Sequence, residues 1–267
     1  MPLLQLFLVA VIQGLTEFLP ISSSGHLILL PSLTGMQDQG QVIDVAVHVG
    51  TLFAVVIYFW ADVRDAVAGF GRLVRGKADT PGARLALHLI VATIPAIVIG
   101  AILNLTGISD QMRSVAVIGW TMLIFGLVLY WADQNGAERK RAEDWTMRDA
   151  ISLGFWQAVA LIPGTSRSGI TITGARRMGY ARSDAAKISM LMSIPVIIAS
   201  AVLLGAETVA DMNTAALRDG GIAAIFSFGA ALLALTLMMR LLKSVSFTPY
   251  VIYRVILGIV LLVYAYA

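Results

Sequence analysis

The sequence predicts an all-α polytopic membrane protein made of two inverted-topology repeats, each a re-entrant helical hairpin followed by three transmembrane helices. Three observations carry this prediction. The 267 residues are 58% hydrophobic and only 13% charged, where a soluble domain has roughly a quarter of its residues charged. Several apolar runs approach the ~20 residues that cross a bilayer as helix, and the ~10-residue alternating segments of a barrel do not occur. A polar pattern at residues 13–26 also returns, without a gap, 144 positions later.

The first hairpin covers about residues 2–33. Its apolar lead-in stops at Glu17 and Pro20, and a second apolar run starts at Leu27. Neither half is long enough to span. Irregular backbone at membrane depth is tolerated only where it is buried in protein or lines a cavity, so a hairpin that dips in and returns is the reading. Spans at about 44–60, 85–103 and 114–132 complete a first repeat, residues 1–132. Between the first two spans lies a basic stretch in which Val63, Val67, Phe70 and Val74 recur at helical spacing. That stretch is either an amphipathic helix on anionic lipid or a solvated loop. A polar linker at 133–149 leads into the second repeat, 150–267. It comprises a hairpin at about 150–177 and spans at about 186–204, 221–242 and 249–266.

Three spans per repeat is an odd number, so the second copy is inverted relative to the first. The distribution of basic residues agrees with this. With the 61–84 loop in the cytoplasm, Arg64, Arg72, Arg75, Lys77, the 133–149 linker, the 176–187 segment, Arg240 and Lys243 all lie inside. Outside remain Arg113 and Arg218, beside Asp38, Glu207, Asp211 and Asp219. This is the positive-inside pattern. Hairpin one then enters from outside and hairpin two from the cytoplasm, and the two breaks meet near the midplane, where inverted-repeat proteins bind their ligands.

Other classes are excluded or not expected. No basic residue precedes the first apolar run and Glu17 interrupts it, so the N-terminus does not read as a signal peptide. The chain has no cysteine, which removes disulfides, thiolate metal sites and thiol nucleophiles. Nucleic acid is not an expected partner; membrane lipid is.

The chemistry sits at the breaks. Ionisable groups at membrane depth are costly and mark function by default. The first break holds Gln13, Glu17, Ser22, Ser23, Ser24, Gly25 and His26. The second holds Gln157, Thr165, Ser166, Arg167, Ser168 and Gly169. Ser- and Gly-rich helix starts present N–H groups and a positive dipole end to an anion. Arg167 adds a planar fork suited to phosphate. Thr165, Ser166 and Ser168 would line one wall of such a cradle. Glu17 either holds a divalent metal that bridges to phosphate or orients an imidazole or hydroxyl. Gln13 stands one helical turn before it, facing the same way. His26 titrates near neutrality. With a helix start near Ser22, it shares a face with Ser23 and could take the Ser23 proton; Ser22 and Ser24 are alternative hydroxyls. A serine-rich kink also repairs backbone hydrogen bonds, and a lone intramembrane Arg or His also serves structure; the combination is what points to a site. His48 and His88 stand outside it, His48 within possible reach of a substrate. Arg254 reads as a residue that snorkels to the interface.

At these residues the sequence resembles the undecaprenyl-diphosphate phosphatase family, the bacitracin-resistance type of integral membrane phosphatase. The likeness rests on Gln13-Gly-Leu-Thr-Glu17, Ser22-Ser-Ser-Gly-His26 and Pro163-Gly-Thr-Ser-Arg-Ser-Gly169. It extends to Gly50-Thr51 and Tyr253-Arg254. The resemblance implies removal of the terminal phosphate from a C55 isoprenyl diphosphate, which recycles the lipid carrier for cell-wall synthesis. It also implies a bacterial inner-membrane location with the site open to the periplasmic side, and support from a divalent metal, Mg²⁺ or Ca²⁺. The implied catalytic residues are Glu17, Ser23, His26 and Arg167. Gln13, Ser22, Ser24, Gly25, Thr165, Ser166 and Ser168 bind substrate, and Glu17 is the metal ligand. Homodimerisation is left open. The rival reading is a polyprenyl-phosphate transporter or flippase using the same anion site. A carrier needs the cradle but no nucleophile beside it.

Overall fold

A computed structural model describes residues 1–23, 25–27, 30, 35, 39–112, 114–208 and 214–267. Ser24, Asp38, Arg113 and Asp211 lie outside the described residues, as does the Glu207 side chain. The described elements are helical. They are α1 (Leu3–Phe18), α2 (Gln41–Tyr58), α3 (Trp60–Leu73), α4 (Pro81–Leu105), α5 (Ile108–Gln111) and α6 (Val115–Gln134). After a 3₁₀ turn at Ala142–Asp144 come α7 (Met147–Val159), α8 (Arg167–Arg177), α9 (Arg182–Thr208), α10 (Thr214–Leu241) and α11 (Thr248–Tyr266). Ser23, Gly25, His26 and Leu27 are also helical and begin the second arm of the first hairpin.

Six of these helices are long and apolar enough to cross a membrane: α2, α4, α6, α9, α10 and α11. Each corresponds to an expected span, with ends shifted by a few residues. Local chemistry sets the ends. Thr80 accepts a hydrogen bond from the Ala83 N–H at 3.2 Å, with Pro81 at the first helical position of α4. Ser114 caps α6 and Thr146 caps α7 in the same way. These side chains satisfy N–H groups that have no intrahelical partner. The stretch expected to be amphipathic helix or loop is helix α3, with Val67 and Phe70 exposed on it.

The two ends of the bundle are tied by different groups. At one end the Met1 amino group pairs with Asp219 at 2.6 Å, joining the starts of α1 and α10. At the other, Asp149 accepts from Lys140 and from the Tyr180 hydroxyl at 2.7 Å. There Asp133 also meets Arg176, Arg182 and the Phe247 N–H, while Lys187 pairs with Asp62. This second end therefore gathers the end of α6 with the starts of α7, α9 and α11. Helix α1 begins at the first end and α7 at the second. Burial drives the Asp149 carboxyl up, but hydrogen bonds from Tyr180 and Lys140 outweigh it and hold the group below its usual range. The same burial and contact push the Tyr180 hydroxyl up.

Packing crosses between the halves of the chain. Helix α1 lies on α10 and α7 on α4, while α2 packs on α9 and α6 on α11. Without a hydrophobic drive between helices in lipid, association depends on close contact through small residues. Gly14 illustrates it: a methyl group there would stand 2.6 Å from the Ser227 carbonyl oxygen of α10. Gly50 of α2 lies equally close to the Ala224 backbone of the same helix. The buried core runs through Phe18, Val55, Leu129, Leu153, Ile172 and Leu235. Ile124, Leu127, Val202 and Ile256 face outward in an exposed apolar belt.

Candidate active site

The two breaks have the same local design. In the first, α1 ends at Phe18, Leu19 is extended and Ser22 turns left-handed, with φ 73°. In the second, α7 ends at Val159 and Ser166 turns left-handed, with φ 71°. A positive φ is uncommon for a residue with a side chain and costs on the order of 1–3 kcal/mol. Each serine has a compensating contact. Ser22 Oγ accepts the Gly25 N–H at 3.3 Å, and Ser166 Oγ accepts the Gly169 N–H at 3.1 Å. The reversal ends one half-helix and starts the next within a few residues, so both starts point at the same space.

Glu17 occupies the meeting point and is 8% exposed. Its Oε1 accepts from Arg167 Nη2 at 2.9 Å. Its Oε2 accepts from Gln13 Nε2 at 2.8 Å and from the Ser23 hydroxyl at 2.9 Å. Arg167 also donates through Nη1 to the Ser189 carbonyl at 3.2 Å. One carboxylate thus connects α1, the second arm of hairpin one and α8. A cavity of about 270 Å³ opens beside it, with Glu17, Ser22, Ser23, His48, Ser166 and Arg167 on its polar wall. A larger cavity of about 340 Å³ lies at the other end of the bundle, under α3, where Asp62 and Lys187 pair across its rim. The smaller cavity holds the repeat-related polar residues and is the candidate site.

The remaining expected site residues divide by place. Thr165 and Ser168 are buried beneath the cavity. Ser168 Oγ donates to the Leu19 carbonyl at 2.9 Å and joins break to break. Gly25 and Gly169 spend their N–H groups on the capping serines. Ser24 lies outside the described residues.

His26 departs from the expected pairing with Ser23. Its Nδ1 is 2.6 Å from the Ser22 carbonyl oxygen, which can only accept, so Nδ1 carries the proton and donates. Nε2 then accepts from the Tyr253 hydroxyl at 2.5 Å. Both ring nitrogens are engaged, while the Ser23 hydroxyl points to Glu17. The cause is the reversal at Ser22, which turns its carbonyl toward the imidazole four residues on.

Two residues set apart in the sequence come into the site. His48 Nδ1 donates to the Asp44 carbonyl at 2.7 Å, which directs Nε2 into the cavity, 3.9 Å from Glu17 Oε2. Arg254 does not snorkel. It is wholly buried and donates to carbonyls at both breaks: Pro20 at 3.3 Å, Gly164 at 3.2 Å and Thr165 at 2.9 Å. It also reaches the Thr121 and Met122 carbonyls of α6. Among the described residues no carboxylate pairs with it. Gly169 and Gly126 leave room for it, since a methyl at Gly169 would press on Nη1. The only sequence signal was an arginine placed several residues inside an apolar span. His88 is buried against Trp145 at the other end of the bundle.

Comparison with known proteins agrees with this geometry. Residues 6–260 match the sequence profile of the family described as bacitracin resistance protein BacA. The chain is 70% identical over 267 residues, the full length of both, to a protein of Ruegeria pomeroyi named undecaprenyl-diphosphatase. A protein of the same name from Dinoroseobacter shibae is also 70% identical over the full length of both chains. One from Chromohalobacter salexigens is 49% identical over 255 residues, 96% of each chain. The family motifs lie where two left-handed serines turn their helices onto one buried glutamate, and the chain belongs to the bacitracin resistance protein BacA family.

Proposed function

We propose that this protein is a multi-pass bacterial membrane phosphatase that hydrolyses undecaprenyl diphosphate to undecaprenyl phosphate and inorganic phosphate. That reaction returns the lipid carrier to cell-wall synthesis and accounts for the bacitracin resistance in the family's description. The observation that carries the reading is the Ser23–Glu17–Arg167 chain of hydrogen bonds on the wall of one cavity.

A hydroxyl bonded to a carboxylate is an activated nucleophile. Ser23 Oγ attacks the terminal phosphorus as its proton passes to Glu17 Oε2. The bond from that phosphorus to the bridging oxygen breaks, and undecaprenyl phosphate leaves. Water then attacks the phosphoserine, Glu17 takes a proton from the water, and the Ser23 oxygen leaves and is reprotonated, with inorganic phosphate released. Arg167 and Ser166 hold the transferred group. Phosphoryl transfer depends mostly on such positioning and on charge stabilisation. His26 and Arg254 keep the two helix starts in place.

A divalent cation fits this site in a limited way. Among the described residues no three His, Asp or Glu gather. The buried Gln13 Oε1, however, has no hydrogen-bond partner and stands beside Glu17. Those two oxygens would hold the ion, with substrate oxygens and water completing it, as is usual for Mg²⁺. The ion would supply neutralisation of phosphate charge.

The inverted arrangement and an outward-facing site belong to the same reading. Helix α1 starts at the end where Met1 meets Asp219, and α7 starts at the end rich in Arg and Lys. By the positive-inside rule the basic end is cytoplasmic. The cavity takes Val45 from early in α2 and Leu204 from late in α9, both in the half away from that basic end. A transporter would use the same cradle but needs no Ser23–Glu17 pair. Purified protein in detergent, where transport cannot occur, should release phosphate from undecaprenyl diphosphate. Failure to do so in detergents that keep the protein folded would remove the phosphatase reading.

A further inference from the structure

The cavity has a second wall that no step of the chemistry uses. Helix α9 passes it with Val196, Ser200 and Leu204 in one row and Ile197 and Ala201 in the next. Residues four apart stack on one helix face, so these five form a continuous strip about 12 Å long at ~1.5 Å per residue. Ile198, Val202 and Leu203 point the other way, toward lipid. The strip starts beside Arg167 and runs away from the phosphate end. Its middle positions, Ser200 and Ala201, are small and flanked by larger residues, which makes the strip a groove.

We propose that this groove receives the first isoprene units of the substrate, and that Ser200 and Ala201 set the enzyme's preference for a long isoprenoid chain. The inference rests on the phosphatase reading above. It follows from continuity: a diphosphate held by Arg167 and Ser166 has its ester oxygen, and the chain attached to it, directed along the one apolar wall of the same cavity. A cavity of about 270 Å³ is at or below the small end for a ligand site. It holds a head group and the start of a chain, and the rest of the chain stays in the bilayer. An isoprenoid arriving from lipid gains no hydrophobic free energy by leaving lipid, since its surroundings were already apolar. Selectivity must come from van der Waals fit, and fit along this wall depends on the two small side chains that let the chain approach the helix.

The test fills the groove. Ala201→Phe is purified with the wild type in one detergent, and kcat/KM is measured for C55, C15 and C5 isoprenyl diphosphates. The wild type should favour C55 over C5. In Ala201→Phe the C55-to-C5 ratio should fall tenfold or more, since even one methylene in an apolar pocket is worth about tenfold or more. A ratio within twofold of wild type, or a wild type with no chain-length preference, overturns the assignment. Release of phosphate from none of the three diphosphates by the wild type would instead overturn the phosphatase reading itself. If Ala201→Phe fails to fold by thermal unfolding, Ser200→Leu and Leu204→Trp crowd the same groove from either side, with the same ratio as readout and the same outcomes.

Discussion

Replacing Arg254 with methionine keeps a long side chain but removes every donor. Five carbonyls accept from the guanidinium. Those of Thr121 and Met122 lie inside α6 and keep their helical donors. Those of Pro20, Gly164 and Thr165 lie at the breaks and lose a buried partner. An unsatisfied buried group costs about 1–3 kcal/mol, so the gross loss is about 3–9 kcal/mol. Removal of a buried charge offsets part of that cost, which places the net effect near the lower bound, about 3 kcal/mol. On the scale of soluble domains, where 1 kcal/mol shifts Tm by about 2–4 °C, Tm should fall by about 6–12 °C. Turnover should fall with it, because both helix starts lose their common anchor. Lys offers fewer donors than Arg and no planar fork, so Arg254→Lys should lie between Met and wild type in both measurements. The assay is thermal unfolding in one detergent with phosphate release alongside. If Arg254→Met melts within about 2 °C of the wild type, the anchoring argument fails.

Four further outcomes are expected. Arg167→Lys should stay folded and lose about two to three orders of magnitude in kcat/KM, as for loss of a preorganised donor; near-normal turnover would remove Arg167 from the site. Ser23→Ala and Glu17→Gln should each cost at least about 10²-fold in turnover, and the double variant should be little worse than either, because residues that act as a unit are non-additive; multiplicative losses would separate the pair. The Asp149 carboxyl sits below its ordinary value of 3.8. Its contribution to stability is therefore complete above that value and fades as pH falls toward the lower folded value. Asp149→Asn should accordingly be less stable than wild type at pH 7, with the difference shrinking in melts at acid pH, and a constant difference would refute the linkage. Because the chain has no cysteine, Arg218→Cys should react with an impermeant thiol reagent on intact cells and Arg139→Cys only after permeabilisation; the reverse pattern would overturn the orientation.

Much of the architecture is legible in the sequence because lipid imposes one-dimensional rules. A run of apolar residues long enough to span is a helix almost regardless of its partners, so the expected spans and the observed helices differ only at their ends. The 144-residue offset was legible because Ser22 and Ser166 are fixed to the same left-handed turn. What could not be read depends on direction in space. Ser23 and His26 are a plausible pair by spacing, but the turn at Ser22 aims the imidazole at a carbonyl and leaves the hydroxyl to Glu17. Arg254 has the same sequence signature whether it reaches for the interface or for the centre; Gly126 and Gly169, distant in the chain, make the room that decides it. His48 joins the site only because α2 packs across the chain onto α9.

The exchange of partners between the two halves also has a consequence in time. Gly14 of α1 finds its seat on α10, which is synthesised about 200 residues later. At ~5–20 residues per second, the first hairpin waits on the order of 10–40 s before the surface it was shaped for exists. Through that interval Glu17, the broken backbone at Pro20 and the close-packing glycine face lipid, an insertion factor or the ribosome exit rather than their own fold. The catalytic arm is thus the first part of the chain made and among the last to be completed, so a stalled or truncated product would carry its most polar intramembrane segment uncovered.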